Sequence, residues 1–186
     1  TLSDDDSGTD TDSATVTVNN ADPVLSNVAA TTPVSENGQT TLSGDLSDAG
    51  TTDALTLVVD WGDGSAPETF NYAAGTTSFS ETHQYLDDDP TATASDIYTI
   101  GLTLSDDDTG STTGSTTVPV DNVAPTVDAG TDETISEGAT FTRSGSFTDP
   151  GTADTWTATV DYGEGARAQA LALRRLVKIS LFMVFP

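Results

Sequence analysis

The chain has 186 residues with 34% hydrophobic content, no cysteine, and 30 acidic against 5 basic side chains, a formal net charge of −25. Such a charge repels phosphate backbones and anionic lipid, which argues against nucleic acid or a membrane surface as partner and makes cations the natural counterparts. Lack of cysteine excludes disulfides and thiolate metal sites, and the modest apolar content suits several small β-units better than one large body.

The chain opens with Thr1-Leu2-Ser3-Asp4-Asp5-Asp6-Ser7-Gly8, which returns as Thr103-Leu104-Ser105-Asp106-Asp107-Asp108-Thr109-Gly110, 102 positions later. Val18-Asn19-Asn20-Ala21-Asp22-Pro23 returns as Val120-Asp121-Asn122-Val123-Ala124-Pro125 at the same offset. A period near one hundred residues implies tandem domains rather than a short-repeat solenoid. Residues 1–22 therefore read as the last strand and linker of a preceding repeat, with Thr15–Val18 as its β-prone end. A start in mid-repeat, with no N-terminal signal peptide, reads as a fragment of a longer protein.

Residues 23–122 carry a full set of strands: Val24–Ala30, Gln39–Leu46, Ala54–Trp61, Glu68–Tyr72, Thr77–Tyr85, Ile97–Ser105 and Ser115–Val120. Seven short strands separated by turn signals, with no helical periodicity, predict a β-sandwich. Leu55, Leu57, Val59 and Trp61 alternate with polar or smaller residues, which puts them on one inward face. The chain must then reverse within Asp60-Trp61-Gly62-Asp63-Gly64-Ser65. Gly62 and Gly64 can take positive φ there, and the Asp63 carboxylate can accept from turn amides.

This stretch returns as Val160-Asp161-Tyr162-Gly163-Glu164-Gly165 at an offset of 101. Trp61-Gly62-Asp63-Gly64-Ser65, followed by Thr82-His83-Gln84-Tyr85 and by Tyr98-Thr99-Ile100-Gly101-Leu102-Thr103-Leu104-Ser105-Asp106, resembles the polycystic kidney disease (PKD) domain family. The resemblance covers one complete copy and parts of two others. It implies an all-β fold of tandem immunoglobulin-like (PKD-type) β-sandwiches, one complete and flanked by partial copies. It also implies a non-catalytic extracellular or cell-surface role, either as spacer and adhesion repeats of a larger protein or as an accessory substrate-binding module of a secreted hydrolase. Partners would then be neighbouring repeats of the same polypeptide and protein or carbohydrate ligands. Asp60, Trp61, Gly62, Asp63, Gly64, Tyr85, Tyr98, Asp161, Tyr162, Gly163 and Gly165 are the turn and core markers.

Residues 123–186 repeat the first half of the plan, with Phe141, Phe147, Trp156 and Val160 at core positions and Asp149-Pro150-Gly151 as the turn before the central strand. From 166 the character changes: four of the five basic residues (Arg167, Arg174, Arg175, Lys178) fall in this tail and no acidic residue does. The tail fits a diverged pair of strands, Ile179, Ser180 and Phe185 aligning with Phe79, Ser80 and Tyr85, or a shifted reading frame. A membrane anchor is the weakest alternative, because the apolar run is well short of the roughly 20 residues a spanning helix needs. Without a counterpart of Ile97–Ser105 beside its central strand, this truncated repeat is expected to be poorly stable. Pairing with residues 1–18 of another copy could complete it.

Asp108-Thr109-Gly110 with Asp6-Ser7-Gly8 superficially matches the paired loops of aspartic proteases. Each is preceded by two further aspartates, a solvated setting unlike the apolar one that makes two carboxylates share a proton. His83, the single histidine, has neither cysteine nor a nucleophile turn near it and reads as a strand residue packing near Gly62. No catalytic residue and no required cofactor is expected. Calcium is the one ion the acidic turns suit. Asp4 and Asp6, with Asp10 and Asp12, have the alternate spacing that can aim several hard oxygens at one cation, and Asp106 and Asp108 preserve part of it. If the sandwich is immunoglobulin-like, Asp45–Asp53 and Asp106–Asp108 share one end, and Asp60, Asp63 and Asp87–Asp89 the other. Stacked repeats would bring Asp87, Asp88, Asp89 and Asp121 near Asp149 and Asp154, where a divalent cation could stiffen the joint.

Overall fold

The computed structural model describes residues 1–89 and 92–161, together with the backbone of two later strands, Gln169–Leu171 and Ile179–Leu181. All regular structure among the described residues is β. In chain order the strands are β1 (Leu2–Ser3), β2 (Thr9–Asp10), β3 (Val24–Ala30), β4 (Val34–Ser35), β5 (Gly38–Ser47), β6 (Leu55–Asp60), β7 (Glu68–Tyr72) and β8 (Ser78–Tyr85). They continue as β9 (Ser95–Ser105), β10 (Ser111–Asp121), β11 (Thr126–Asp128), β12 (Arg143–Thr148), β13 (Ala158–Val160), β14 (Gln169–Leu171) and β15 (Ile179–Leu181).

Two sheets build the sandwich. One has five strands in the order β4-β10-β9-β6-β7, the other three in the order β3-β5-β8. The chain crosses between them at Thr31–Pro33, so that β3 lies in one sheet while β4 runs parallel to β10 in the other, Val34 opposite Val120. Every other pairing is antiparallel, as short connections require.

The inner faces carry the period-two apolar sets. Leu42, Leu46, Phe79 and Tyr85 of the small sheet meet Leu55, Leu57, Val59, Tyr98, Ile100, Leu102, Leu104, Val118 and Val120 of the large one, with Trp61 just beyond β6, in one buried cluster. Each large apolar side chain in it contributes about 1.5–3 kcal/mol by leaving water. β6 is the hub, paired to β7 on one side and β9 on the other.

Two strand predictions are corrected and one strand, β4, is added. Thr15–Val18 forms no strand: Val16 and Val18 are exposed and no neighbouring strand offers them a ladder. The last strand of the sandwich begins at Ser111 rather than Ser115, because the β9–β10 hairpin pairs from its turn outwards, Ser105 opposite Ser111. β4, two residues long, has too few residues to show a period.

The later strands repeat the earlier ones. β13 and β14 pair Ala158 with Leu171, Thr159 with Ala170 and Val160 with Gln169, the same register 101 positions on as Leu57–Phe70, Val58–Thr69 and Val59–Glu68. β11 and β12 pair Val127 with Phe147 as β3 and β5 pair Leu25 with Leu46. β15 joins β12 as β8 joins β5.

Candidate functional site

The turn after β6 is built by its own carboxylates. Asp60 Oδ1 accepts from the Gly62 amide at 3.0 Å, and Asp63 Oδ1 accepts from the Ser65 amide at 3.0 Å and the Ser65 hydroxyl at 2.5 Å. Gly62 and Gly64 sit at φ +78° and +81°. Trp61 is fully buried and stacks on His83 with ring centroids 4.6 Å apart, while His83 Nε2 lies 2.7 Å from Asp63 Oδ2. Tyr85 donates its hydroxyl to the Trp61 carbonyl at 2.9 Å. These groups lock one another in place, and His83 is engaged in holding the turn. Asp161 is an exposed residue at the end of β13; Tyr162, Gly163 and Gly165 lie outside the described residues.

The alternating aspartates do not form a cage. Asp4 Oδ1 folds back to accept from the amides of Asp6 at 3.1 Å and Gly8 at 2.6 Å. Asp106 Oδ1 does the same with Asp108 at 2.9 Å and Gly110 at 2.7 Å, and its other oxygen accepts from the Asn20 side chain at 2.8 Å. Ser7 and Thr109 hold matching positive φ values, 72° and 81°. The Asn20 hydrogen bond, with those of Gly110 and Asp108, keeps the Asp106 carboxyl below its ordinary range against the opposing effect of burial. Asp6 and Asp108 point outwards, so the protease-like triplets are two copies of one tight turn.

The main concentration of acidic groups lies where the sandwich meets the segment after residue 122. Glu36, Asp87, Asp88 and Asp154 each offer a carboxylate oxygen, all within 4.8 Å of one another. Three segments carry them. Glu36 follows β4; its amide donates to the Asp121 carbonyl at 2.9 Å, and its Oε1 accepts from the Val123 amide at 2.8 Å. Asp87 and Asp88 follow β8, in a loop whose carbonyls at Asp87 (3.1 Å) and Asp89 accept the Tyr98 hydroxyl of β9. Burial, then Asp89 and Asp87, pushes that hydroxyl up to about 12, so it stays a donor at neutral pH. Asp154 comes from the loop before β13, held by Thr152 N donating to the Leu86 carbonyl at 3.3 Å and by the Ala153 amide on Asp87 Oδ2.

Electrostatically this corner is unbalanced. Glu36 is 3% and Asp88 4% exposed, and Glu36 Oε2, Asp88 Oδ2 and Asp149 Oδ1 are buried without a hydrogen-bond partner. Burial raises the Glu36 carboxyl above its usual range despite the Val123 hydrogen bond, with Asp154, Asp149 and Asp88 adding repulsion. Burial first, and then neighbouring aspartates, raises Asp88 and Asp154 as well. Asp149 stands beside the cluster with Oδ2 taking the Trp156 indole N–H.

Of the predicted joint residues, the structure thus gathers Asp87, Asp88 and Asp154, with Asp149 adjacent. Asp121 contributes its carbonyl rather than its carboxylate, and Asp89 its carbonyl to Tyr98; both carboxylates are outside the group. Glu36 occupies the place expected of them. A lone Glu in Ser35-Glu36-Asn37-Gly38 carries no signal in the sequence except its recurrence as Glu137. A smaller group at the opposite end, Asp48, Asp53 and Asp106, joins the two loops expected to share that end.

A cavity of about 440 Å³ opens among Val127, Phe147, Trp156 and Val160. Their counterparts in the sandwich are Leu25, Leu46, Leu55 and Val59, all of them in or against the core. The cavity is therefore lined by the equivalents of core positions of the sandwich.

Residues 122–176 match the family model of the PKD domain. Searches among curated proteins and solved structures found no match. PKD domains are in general extracellular, non-catalytic modules, and no helix among the described residues is long and apolar enough to cross a membrane.

Proposed function

We propose that this PKD-containing chain is a run of tandem sandwich modules acting as a non-catalytic spacer in a secreted or cell-surface protein. Residues 1–22 end one module, residues 23–122 form a complete one, and residues 123–186 begin the next. The observation that carries the reading is the recurrence of strand registers: β13–β14 reproduces β6–β7 pair for pair at an offset of 101, and the Asp4–Gly8 turn recurs as Asp106–Gly110 at an offset of 102. Repeated sandwiches set a distance between whatever lies at either end. Contacts from Thr152, Ala153 and Val123 to Leu86, Asp87 and Glu36 support a joint of defined geometry. Neighbouring modules are the first partners, and exposed loops are left for protein or carbohydrate ligands.

A spacer must hold its length under load. Stretching the full chain as a single molecule should release residues 23–122 in one step, a contour gain on the order of 300 Å. Gradual lengthening without such a step would contradict the reading.

A further inference from the structure

We propose that Glu36, Asp87, Asp88 and Asp154 bind one hard divalent cation of the calcium class, which closes the joint between the sandwich and the segment that follows. This inference rests on the tandem-module reading, because its ligands come from what would be two consecutive modules.

The geometry suits such an ion. Oxygens on opposite sides of a calcium ion, each at about 2.4 Å, stand about 4.8 Å apart, whereas magnesium needs near-octahedral oxygens at about 2.1 Å, so no more than about 4.2 Å across. The four carboxylate oxygens all lie within 4.8 Å of one another, close enough for one calcium ion to bridge them, and a cage made of protein oxygens suits calcium better than magnesium, which gives up its waters reluctantly.

An independent observation points the same way. Glu36 and Asp88 are almost wholly buried, yet Glu36 Oε2 and Asp88 Oδ2 have no donor. Buried carboxylates are ordinarily paired or coordinate a metal. Among the described residues no protein cation supplies the pairing: their single Lys or Arg is Arg143, whose guanidinium lies over the Phe141 ring, 5.8 Å from its centroid. The remaining contacts also leave the free oxygens available. Glu36 Oε1 accepts from the Val123 amide and Asp87 Oδ2 from the Ala153 amide, both donors lying in the segment after residue 122, so the cluster is held by oxygens that are not themselves the vacant acceptors. Gly151 gives the site its room, since a Cβ there would stand 2.6 Å from Glu36 Oε2 and closer still to Asp154 Oδ2.

The parts recur with the module. Asp48 and Asp53 lie 101 positions before Asp149 and Asp154, and Glu137 lies 101 after Glu36. Each module thus carries an aspartate pair for the joint before it and a glutamate for the joint after it. The Asp48, Asp53 and Asp106 group is not a second complete site, because both Asp106 oxygens already accept from Asn20, Asp108 and Gly110.

Titration calorimetry of the metal-free full chain with calcium chloride at neutral pH tests the site. One ion per chain is expected, with a dissociation constant of about 10⁻⁴ to 10⁻³ M, as in other extracellular modules, and a rise in melting midpoint of about 5 °C or more at about 10 mM calcium. Magnesium should bind at least about tenfold more weakly. Asp154→Asn, on a half-buried loop outside the sandwich core, and Glu36→Gln, which keeps the Val123 hydrogen bond, should each weaken calcium about tenfold or more, whereas Asp53→Asn should not. Far-ultraviolet dichroism identifies any variant that fails to fold, and Asp154→Asn then decides alone. No heat of binding, or a midpoint shift that magnesium or Asp154→Asn reproduces in full, would overturn the site. Either result leaves the spacer reading standing, since that depends on the unfolding step under force.

Discussion

At the scale of single residues, backbone geometry around Trp61 separates two glycines that look equivalent in the sequence. Gly62 and Gly64 share positive φ, yet a Cβ on Gly62 would strike the Thr99 carbonyl oxygen of β9 while one on Gly64 meets nothing within 4 Å. Left-handed backbone costs a non-glycine residue about 1–2 kcal/mol. Gly64→Ala should therefore destabilise by about 1 kcal/mol, and Gly62→Ala by about 3 kcal/mol or more, because β6 and β9 must also separate. Urea denaturation of the two variants measures the difference, and equal losses would mean the β9 contact is absent. The turn itself was legible, since glycine and aspartate chemistry there is local. Glu36 was not, because its importance comes from Asp87, Asp88 and Asp154, at least 51 residues away in the chain. For Asp4 and Asp6 the alternate spacing fits a cation loop and a tight turn alike, and the structure shows Asp4 Oδ1 accepting from the amides of Asp6 and Gly8.

Among the strands, neighbours decide stability. β6 is paired along both edges and buries Leu55, Leu57 and Val59, whereas β13 has β14 as its one partner among the described residues and its side chains are only partly buried or exposed. Local opening should follow that contrast. Native-state hydrogen exchange is expected to protect Leu57 and Val59 amides at least about a hundredfold more than those of Ala158 and Val160, and similar protection would show that β13 is paired more fully than described. Period-two alternation made β5, β6, β8 and β9 readable in advance, since each has one wet and one dry face. Thr15–Val18 has the same β-prone composition and stays irregular; propensity without a partner does not make a strand.

For the molecule as a whole, the acidic excess and the repeat work together. With 30 acidic side chains the surface resists edge-to-edge association, while the sandwich gathers most of its large apolar residues into one interior cluster and leaves Val24, Leu86 and Ile97 exposed. The all-β class and the offset of about one hundred residues were both readable from the chain. The meeting of Glu36 with Asp154 was not, because the geometry of a joint depends on how two folded surfaces meet.

The central claim is that residues 23–122 are an independent folding unit that recurs along the chain. The most direct measurement is thermal and urea unfolding of that segment alone, followed by the fluorescence of Trp61, its one tryptophan. A single cooperative transition, at a midpoint matching the Trp61 transition of the full chain in metal-free buffer, is the predicted result. An excised segment with no transition, or one already unfolded at room temperature, would contradict the account.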